Sequence, residues 1–211
     1  MGSRVRDGRR ALRATVPGAG EPASPDGPEG FEPDPQRFRQ ALGHFATGVT
    51  VIAGLDGAEP VGFACQAFAA LSLDPPLVLC CPAKTSGSWQ RLARTGRFCA
   101  NVLTAEQREL ARRFGVSGPD KFAGVSWSPD PSGLPILAGV LTWASCTIET
   151  MYEAGDHYVV IGRVSCLGDS TAGNPLLFYR GRFTLSATAE DGSPPEAVDT
   201  LLAWPQFADW M

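Results

Sequence analysis

The chain has 211 residues, 44% of them apolar, enough for one domain with a sizeable core and tails. Its net charge is −4 and its basic residues form no stripe beyond the first 13 positions, which argues against nucleic acid as the main partner. No run of about 18 apolar residues occurs, so no membrane-spanning helix is expected.

Residues 1–34 are rich in Gly, Pro and Arg, lack the apolar centre of a signal peptide, and read as a disordered tail. Phe38, Leu42 and Phe45 recur at helical spacing and predict a short helix over 36–46, closed by Gly48. A strand at 49–53, a turn at Asp56-Gly57 and a second strand over 60–64 follow. Residues 67–72 read as a loop of small side chains broken by Phe68 and Leu71. The apolar run 77–81 is too short for a core helix and reads as a strand. Ser86 or Ser88 caps a helix running to about Arg94, and 98–103 is the next strand. Thr104 and Gln107 form a capping box opening a helix with Leu110 and Phe114 facing inward. Residues 120–125 read as a connector and 129–135 as a loop. Two long strands, 139–152 and 157–167, are joined at Glu153-Ala154-Gly155-Asp156 by a hairpin. The segments 175–181 and 182–187 close a domain spanning 35–188. A linker (188–195) and an amphipathic stretch carrying Leu201, Leu202, Trp204, Phe207 and Trp210 end the chain. Strands dominate without regular strand–helix alternation, so the expected fold is mainly β with short helices, a closed and mostly antiparallel barrel.

The six cysteines form neither a CxxC pair nor a Cys/His cluster and read as buried, reduced side chains of a cytoplasmic protein; no metal site is expected. With only two histidines, the chain offers few general acids or bases, so an enzyme of this composition would borrow a cofactor for its chemistry. His157 follows Asp156, and neighbours on a strand point to opposite faces, so Asp156 is expected to orient it poorly. The run Cys81-Pro82-Ala83-Lys84-Thr85-Ser86-Gly87-Ser88 puts a lysine, three hydroxyls and a helix start together, which suits a phosphate, although Ser and Thr also serve as plain caps. The small-residue stretch from Gly62 to Ala70 would let a flat ligand approach the backbone, or would simply pack tightly.

These blocks, in order, resemble the flavin reductase-like family with an FMN-binding split-barrel fold. The likeness is carried by Phe45-Ala46-Thr47-Gly48-Val49-Thr50-Val51, the run from Val61 to Leu79, Phe98 to Leu103, Asp120 to Val125, Gly155-Asp156-His157 and Pro175 to Gly181. Within the family the chain is similar to actinobacterial reductase components of two-component flavin-dependent monooxygenases, such as that of the secosteroid hydroxylase. The resemblance implies a homodimeric split β-barrel that binds FAD or FMN at the subunit interface. It implies hydride transfer from NADH or NADPH to flavin N5, with reduced flavin passed to a separate monooxygenase in aromatic or steroid catabolism or natural-product biosynthesis.

By matching position, Pro60, Val61, Gly62, Phe63, Ala64, Gln66 and Ala67 would line the isoalloxazine. Cys81, Pro82, Ala83, Lys84, Thr85, Ser86, Gly87 and Ser88 would hold the ribityl chain and phosphate. Arg113, Phe114 and Lys121 would contact the distal part of the flavin. His157, as the catalytic-site residue, with Phe178, Tyr179, Arg180 and Gly181 would shape the nicotinamide side: Tyr179 stacking, Arg180 pairing with phosphate. Many members carry Ser where this chain has Ala67, which implies modest flavin affinity. Two other readings stay open on the residues alone: a non-catalytic flavin carrier or sensor, and a split-barrel oxidase with tightly held FMN.

Overall fold

The structure, a computed structural model, describes residues 34–118 and 120–185. The expected disordered tail (all but Asp34), the 188–195 linker and the C-terminal amphipathic stretch lie outside the described residues. The chain divides into two compact units, Met1–Ala41 and Leu42–Met211. In the first unit the described residues belong almost entirely to helix α1 (Pro35–Leu42). The Asp34 side chain accepts from the Gln36 amide at 3.1 Å, an N-terminal cap of the usual kind. The helix stops at Leu42, short of the expected 46, because Gly43 opens a turn in which the Phe45 amide bonds the Leu42 carbonyl at 3.0 Å.

Among its described residues the second unit contains twelve named strands and two further helices, in the order β1 (Thr47–Gly48), β2 (Thr50–Asp56), β3 (Glu59–Cys65), β4 (Phe68–Leu73), β5 (Pro76–Cys80), α2 (Gly87–Thr95) and β6 (Arg97–Val102). A 3₁₀ turn (Ala105–Gln107) leads into α3 (Arg108–Gly115), then β7 (Trp127–Pro129), β8 (Pro135–Leu137), β9 (Thr142–Ala154), β10 (His157–Leu167), β11 (Leu176–Tyr179) and β12 (Arg182–Leu185). The capping box at Thr104 and Gln107 is present. Seven strands form one sheet in the order β3-β2-β6-β9-β10-β5-β4, every neighbour pair antiparallel. A second sheet runs β1-β11-β12, and β7 pairs with β8. Val49, Leu103 and Leu176 tie the two larger sheets together: Leu103 N donates to Val49 O, Val49 N to Leu176 O, and Leu176 N to Leu103 O, at 3.0–3.1 Å.

The strand order departs from a closed barrel in an informative way. The sheet has two edges, β3 and β4, yet only Gln66 and Ala67 separate them in the chain. Three residue steps span at most about 11 Å, so the sheet must curl until its edges nearly meet there. The barrel is therefore split at residues 66–67.

Alternation along β2 explains the two cores. Ile52 points into a cluster with Phe63, Val78, Trp89, Leu92, Phe98 and Val160, while Val51 and Ala53 point into another with Leu103, Phe114, Phe122, Leu137 and Leu176. Close packing demands glycine at one point in particular: a Cβ on Gly162 would sit 2.7 Å from Phe98 Cζ. Asn101, fully buried, donates to the carbonyls of Val51, Cys99 and Pro135 and accepts from Leu137 N, so it fastens β8 to the main sheet.

Two expected loops are ordered differently. Residues 67–72 are largely strand β4, which pairs with β5 through a bulge between Ala70 and Ser72. Its side chains, mostly exposed whether small or large, hide the alternation that identifies strands. Residues 129–135 close a β7–β8 hairpin around Asp130, whose carboxylate accepts from Ser132 and Leu134 amides. The first of the two long strands runs over Thr142–Ala154 rather than 139–152. Among the described residues, no helix is long and apolar enough to cross a membrane.

Candidate active site

A pocket of about 1100 Å³ opens where the barrel is split. One wall is the end of β3 and the turn after it, from Phe63 through Ala67. A second wall is the loop Cys81-Pro82-Ala83 with Thr85 and the first turn of α2. The third comes from α3 and its C-terminal loop, with Ala111, Arg112, Phe114, residues 115–118 and Lys121. His157, Phe178 and Phe183, with Val49 and Arg91, complete the lining, the two phenylalanines in edge contact at 5.4 Å.

Local sequence builds each wall. Ser86 is the N-cap of α2, accepting from the Trp89 amide at 3.2 Å, and Gly96, at φ +71°, closes the helix. Among the described residues, the amides of Gly87 and Ser88 make no hydrogen bond, and both residues line the pocket. That is a ready anion site: two free donors at the positive end of a helix beside the Thr85 and Ser88 hydroxyls. Ala64 and Ala67 line the same pocket with no bulky side chain to hold off a flat ring, and the Ala67 carbonyl accepts from Cys81 N at 3.0 Å.

The sequence-selected residues divide cleanly. Phe63, Ala64, Gln66, Ala67, Cys81, Pro82, Ala83, Thr85, Ser86, Gly87, Ser88, Phe114, Lys121, His157 and Phe178 meet in this one pocket. Pro60, Val61, Gly62, Lys84, Arg113, Tyr179, Arg180 and Gly181 do not line it. Val61 belongs to the core, and Gly62 is there for packing, since a Cβ on it would fall 2.9 Å from Ile52 O and 3.1 Å from Phe114 Cε1. Lys84 Nζ turns to Glu153 at 2.8 Å and lies 5.6 Å from the centre of the Tyr158 ring. Arg113 sits about 100° around α3 from Arg112 and donates to Ala123 O, on the far side of the helix. Tyr179 lies on the face of β11 opposite Phe178 and meets His44 edge-on at 6.0 Å. Arg180 and Gly181, at φ +49° and +78°, form the β11–β12 turn.

Of the charged and aromatic side chains of the pocket, sequence reasoning missed Arg91, Arg112 and Phe183. Arg91 was findable, for it lies one helical turn after Ser88. Its guanidinium is held by Asp56 at 2.6 Å and in fork fashion by Glu59 at 2.7 and 3.2 Å. Those bonds, Glu59 foremost, raise the Arg91 pKa and lower that of Glu59. Arg112 Cζ lies 6.0 Å from the centre of the Phe183 ring, while burial lowers the pKa of Lys121, whose Nζ donates to Phe114 O at 3.1 Å.

The pocket thiols are not nucleophiles. Burial raises the Cys81 pKa and pushes Cys65 up to about 11, so both stay protonated near neutral pH. The Asp156–His157 expectation is reversed: Asp156 Oδ1 lies 2.7 Å from His157 Nδ1. Asp156 sits in the turn, beside Gly155 at φ +58°, so strand alternation does not govern it.

Comparison with known proteins places this geometry. Residues 42–185 match the flavin reductase-like domain. The chain belongs to the flavin reductase-like family. The reductase subunit HsaB of a flavin-dependent monooxygenase from Rhodococcus jostii is 56% identical over 151 residues, covering 72% of this chain and 77% of that protein. HsaB of Mycobacterium tuberculosis is 53% identical over 173 residues, covering 81% and 92%. Among solved structures, nitrilotriacetate monooxygenase component B from Mycobacterium thermoresistibile superimposes with a TM-score of 0.74 at 46% identity, covering 81% of this chain and 96% of that one. The NADH:FAD oxidoreductase SgcE6 of Streptomyces globisporus, solved with NAD and FAD fragments, gives 0.71 at 37% identity, covering 75% and 96%. The split sheet is thus the fold of this family.

Proposed function

We propose that the chain is an NAD(P)H:flavin oxidoreductase that supplies reduced FAD or FMN to a separate flavin-dependent monooxygenase. The observation that carries this reading is the meeting, in one pocket, of a small-residue strand end, an open helix N-terminus and His157. When bound, the flavin supplies the hydride-accepting N5 of its ring system. The protein's part is to bind and orient. Ala64, Gln66 and Ala67 would lie against the ring, the amides of Gly87 and Ser88 with the Thr85 and Ser88 hydroxyls would hold the phosphate, and Lys121 would supply positive charge on the α3 wall, where Arg112 is paired with Glu109 at 2.6 Å. His157 positions the nicotinamide. The reductase names carried by the relatives, and the NAD and FAD fragments bound by SgcE6, support the pairing of cofactors.

The active form is a homodimer in this reading. Leu77, Leu79 and Ile161 lie on the face of the sheet opposite the core residues Val78, Cys80 and Val160, and Leu79 sits directly across from Ile161. That half-buried outer face is continued by exposed Ala69 opposite Leu79, and among the described residues no helix of the second unit packs extensively on β5 or β10. A second copy is the cover we propose. Six free thiols, four of them buried, support a reducing, cytoplasmic setting.

The test is consumption of NADH or NADPH by the purified protein in the presence of free FAD or FMN, followed by nicotinamide absorbance. Turnover that saturates with flavin is expected. Flavin binding without nicotinamide oxidation makes the protein a carrier instead, and FMN that survives dialysis in a protein indifferent to NADH makes it an oxidase.

A further inference from the structure

The β9–β10 turn is fastened to the loop that precedes α2. Lys84 N donates to Asp156 O and Tyr158 N to Pro82 O, both at 2.9 Å, and Ala83 forms an antiparallel bridge with His157. Lys84 Nζ adds its ion pair to Glu153. The turn therefore keeps a fixed place relative to the helix N-terminus that receives the phosphate.

Within that turn, Asp156 Oδ1 touches His157 Nδ1. A carboxylate oxygen accepts and does not donate, so Nδ1 must carry the hydrogen, and in the neutral ring Nε2 is then the acceptor. The two side chains are 94% and 46% exposed, a setting in which such a pair adds little to stability. Its consequence lies in the rotamer and tautomer of a ring that lines the pocket.

From this geometry we propose that Asp156 is a positioning residue: it holds His157 with Nδ1 protonated, so that Nε2 accepts a hydrogen bond from an N–H donor such as the nicotinamide carboxamide. The inference rests on the flavin-reductase reading of the pocket for the identity of that donor, and on the structure alone for the dyad.

The test joins spectroscopy and kinetics on the full chain. With two histidines in the sequence, long-range proton–nitrogen correlation spectra of wild type and Asp156→Ala resolve both rings, and His44 serves as internal control. His157 is expected as the Nδ1–H tautomer in wild type and shifted toward Nε2–H in Asp156→Ala. The KM for NADH should rise about fivefold to tenfold in Asp156→Ala, the loss of one modest hydrogen bond, with kcat and the flavin Kd within about twofold. Asp156→Asn, whose amide oxygen still accepts, should rescue both signals. Adding Asp156→Ala to His157→Ala should change nothing further. An unchanged tautomer or an unchanged KM in Asp156→Ala overturns the proposal, as does a double variant whose losses multiply. A wild type that consumes no NADH with either flavin overturns the nicotinamide role and the function reading with it, while the tautomer shift still decides whether Asp156 holds the ring.

Discussion

Asp130 is a carboxylate with 5% exposure and no cationic partner among its hydrogen bonds. Burial alone would raise its pKa, but bonds from Ser145, Ser132 and the Leu134 and Ser132 amides outweigh it and hold the pKa below the ordinary value. A depressed carboxylate contributes stability that is present above its unfolded pKa, about 3.9, and is lost as pH falls through the lower folded value. Asp130→Ala should cost about 2–3 kcal/mol near neutral pH, because it strands the donors of the β7–β8 turn and of β9. Urea melts of wild type and variant should converge as the pH drops below about 4; parallel curves would remove Asp130 from the acid response. Sequence alone does not reveal this residue, since an Asp between two prolines reads as a solvated loop. Lys84 errs the other way: its place in a hydroxyl-rich run suggests a phosphate ligand, but Glu153, distant in sequence, takes its charge.

At the level of elements, α2 separates two serines that look alike in sequence. Ser86 is the cap, and Ser88 lines the pocket without capping. Ser86→Ala should lower stability by about 1 kcal/mol, seen as a fall in Tm. Ser88→Ala should leave Tm within about a degree, since no hydrogen bond of its side chain occurs among the described residues, and should weaken flavin binding by about threefold to tenfold. Equal thermal shifts in the two variants would contradict the assignment. Helix α3 teaches the same point through Arg112 and Arg113: a family motif fixes where a helix lies, but only its rotation decides which arginine reaches the pocket. Strand β4 was hidden because its edge position and exposed face leave no alternation to read. By contrast β5, β6, β10 and the capping box at Thr104 announced themselves through apolar runs and capping chemistry that local sequence controls.

Across the whole molecule, the split in the sheet ties fold to function. The same two residues that connect the edge strands, Gln66 and Ala67, form one lip of the pocket, so the opening is a consequence of strand order. The ordered family motifs made the pocket's location legible; the edge pairing that creates it joins segments far apart in the chain and was not. The outer face with Leu79 and Ile161 supplies a prediction at this scale. Ile161→Glu places a charge at the centre of the proposed contact, and sedimentation equilibrium should show wild type as a dimer and the variant as a monomer at micromolar concentration. A wild type that sediments as a monomer removes the homodimer from the account.

The proposed function places flavin reduction in the pocket at the split. Ala67 faces it and is exposed, so Ala67→Trp fills the ring-binding space without entering the core. The decisive measurement is flavin-dependent NADH oxidation by this variant beside wild type, with equal thermal melts as the control for folding. The predicted result is a fall in kcat/KM for flavin of at least about a hundredfold, because the ring loses its site altogether. A folded Ala67→Trp protein with wild-type kcat/KM would place the chemistry elsewhere.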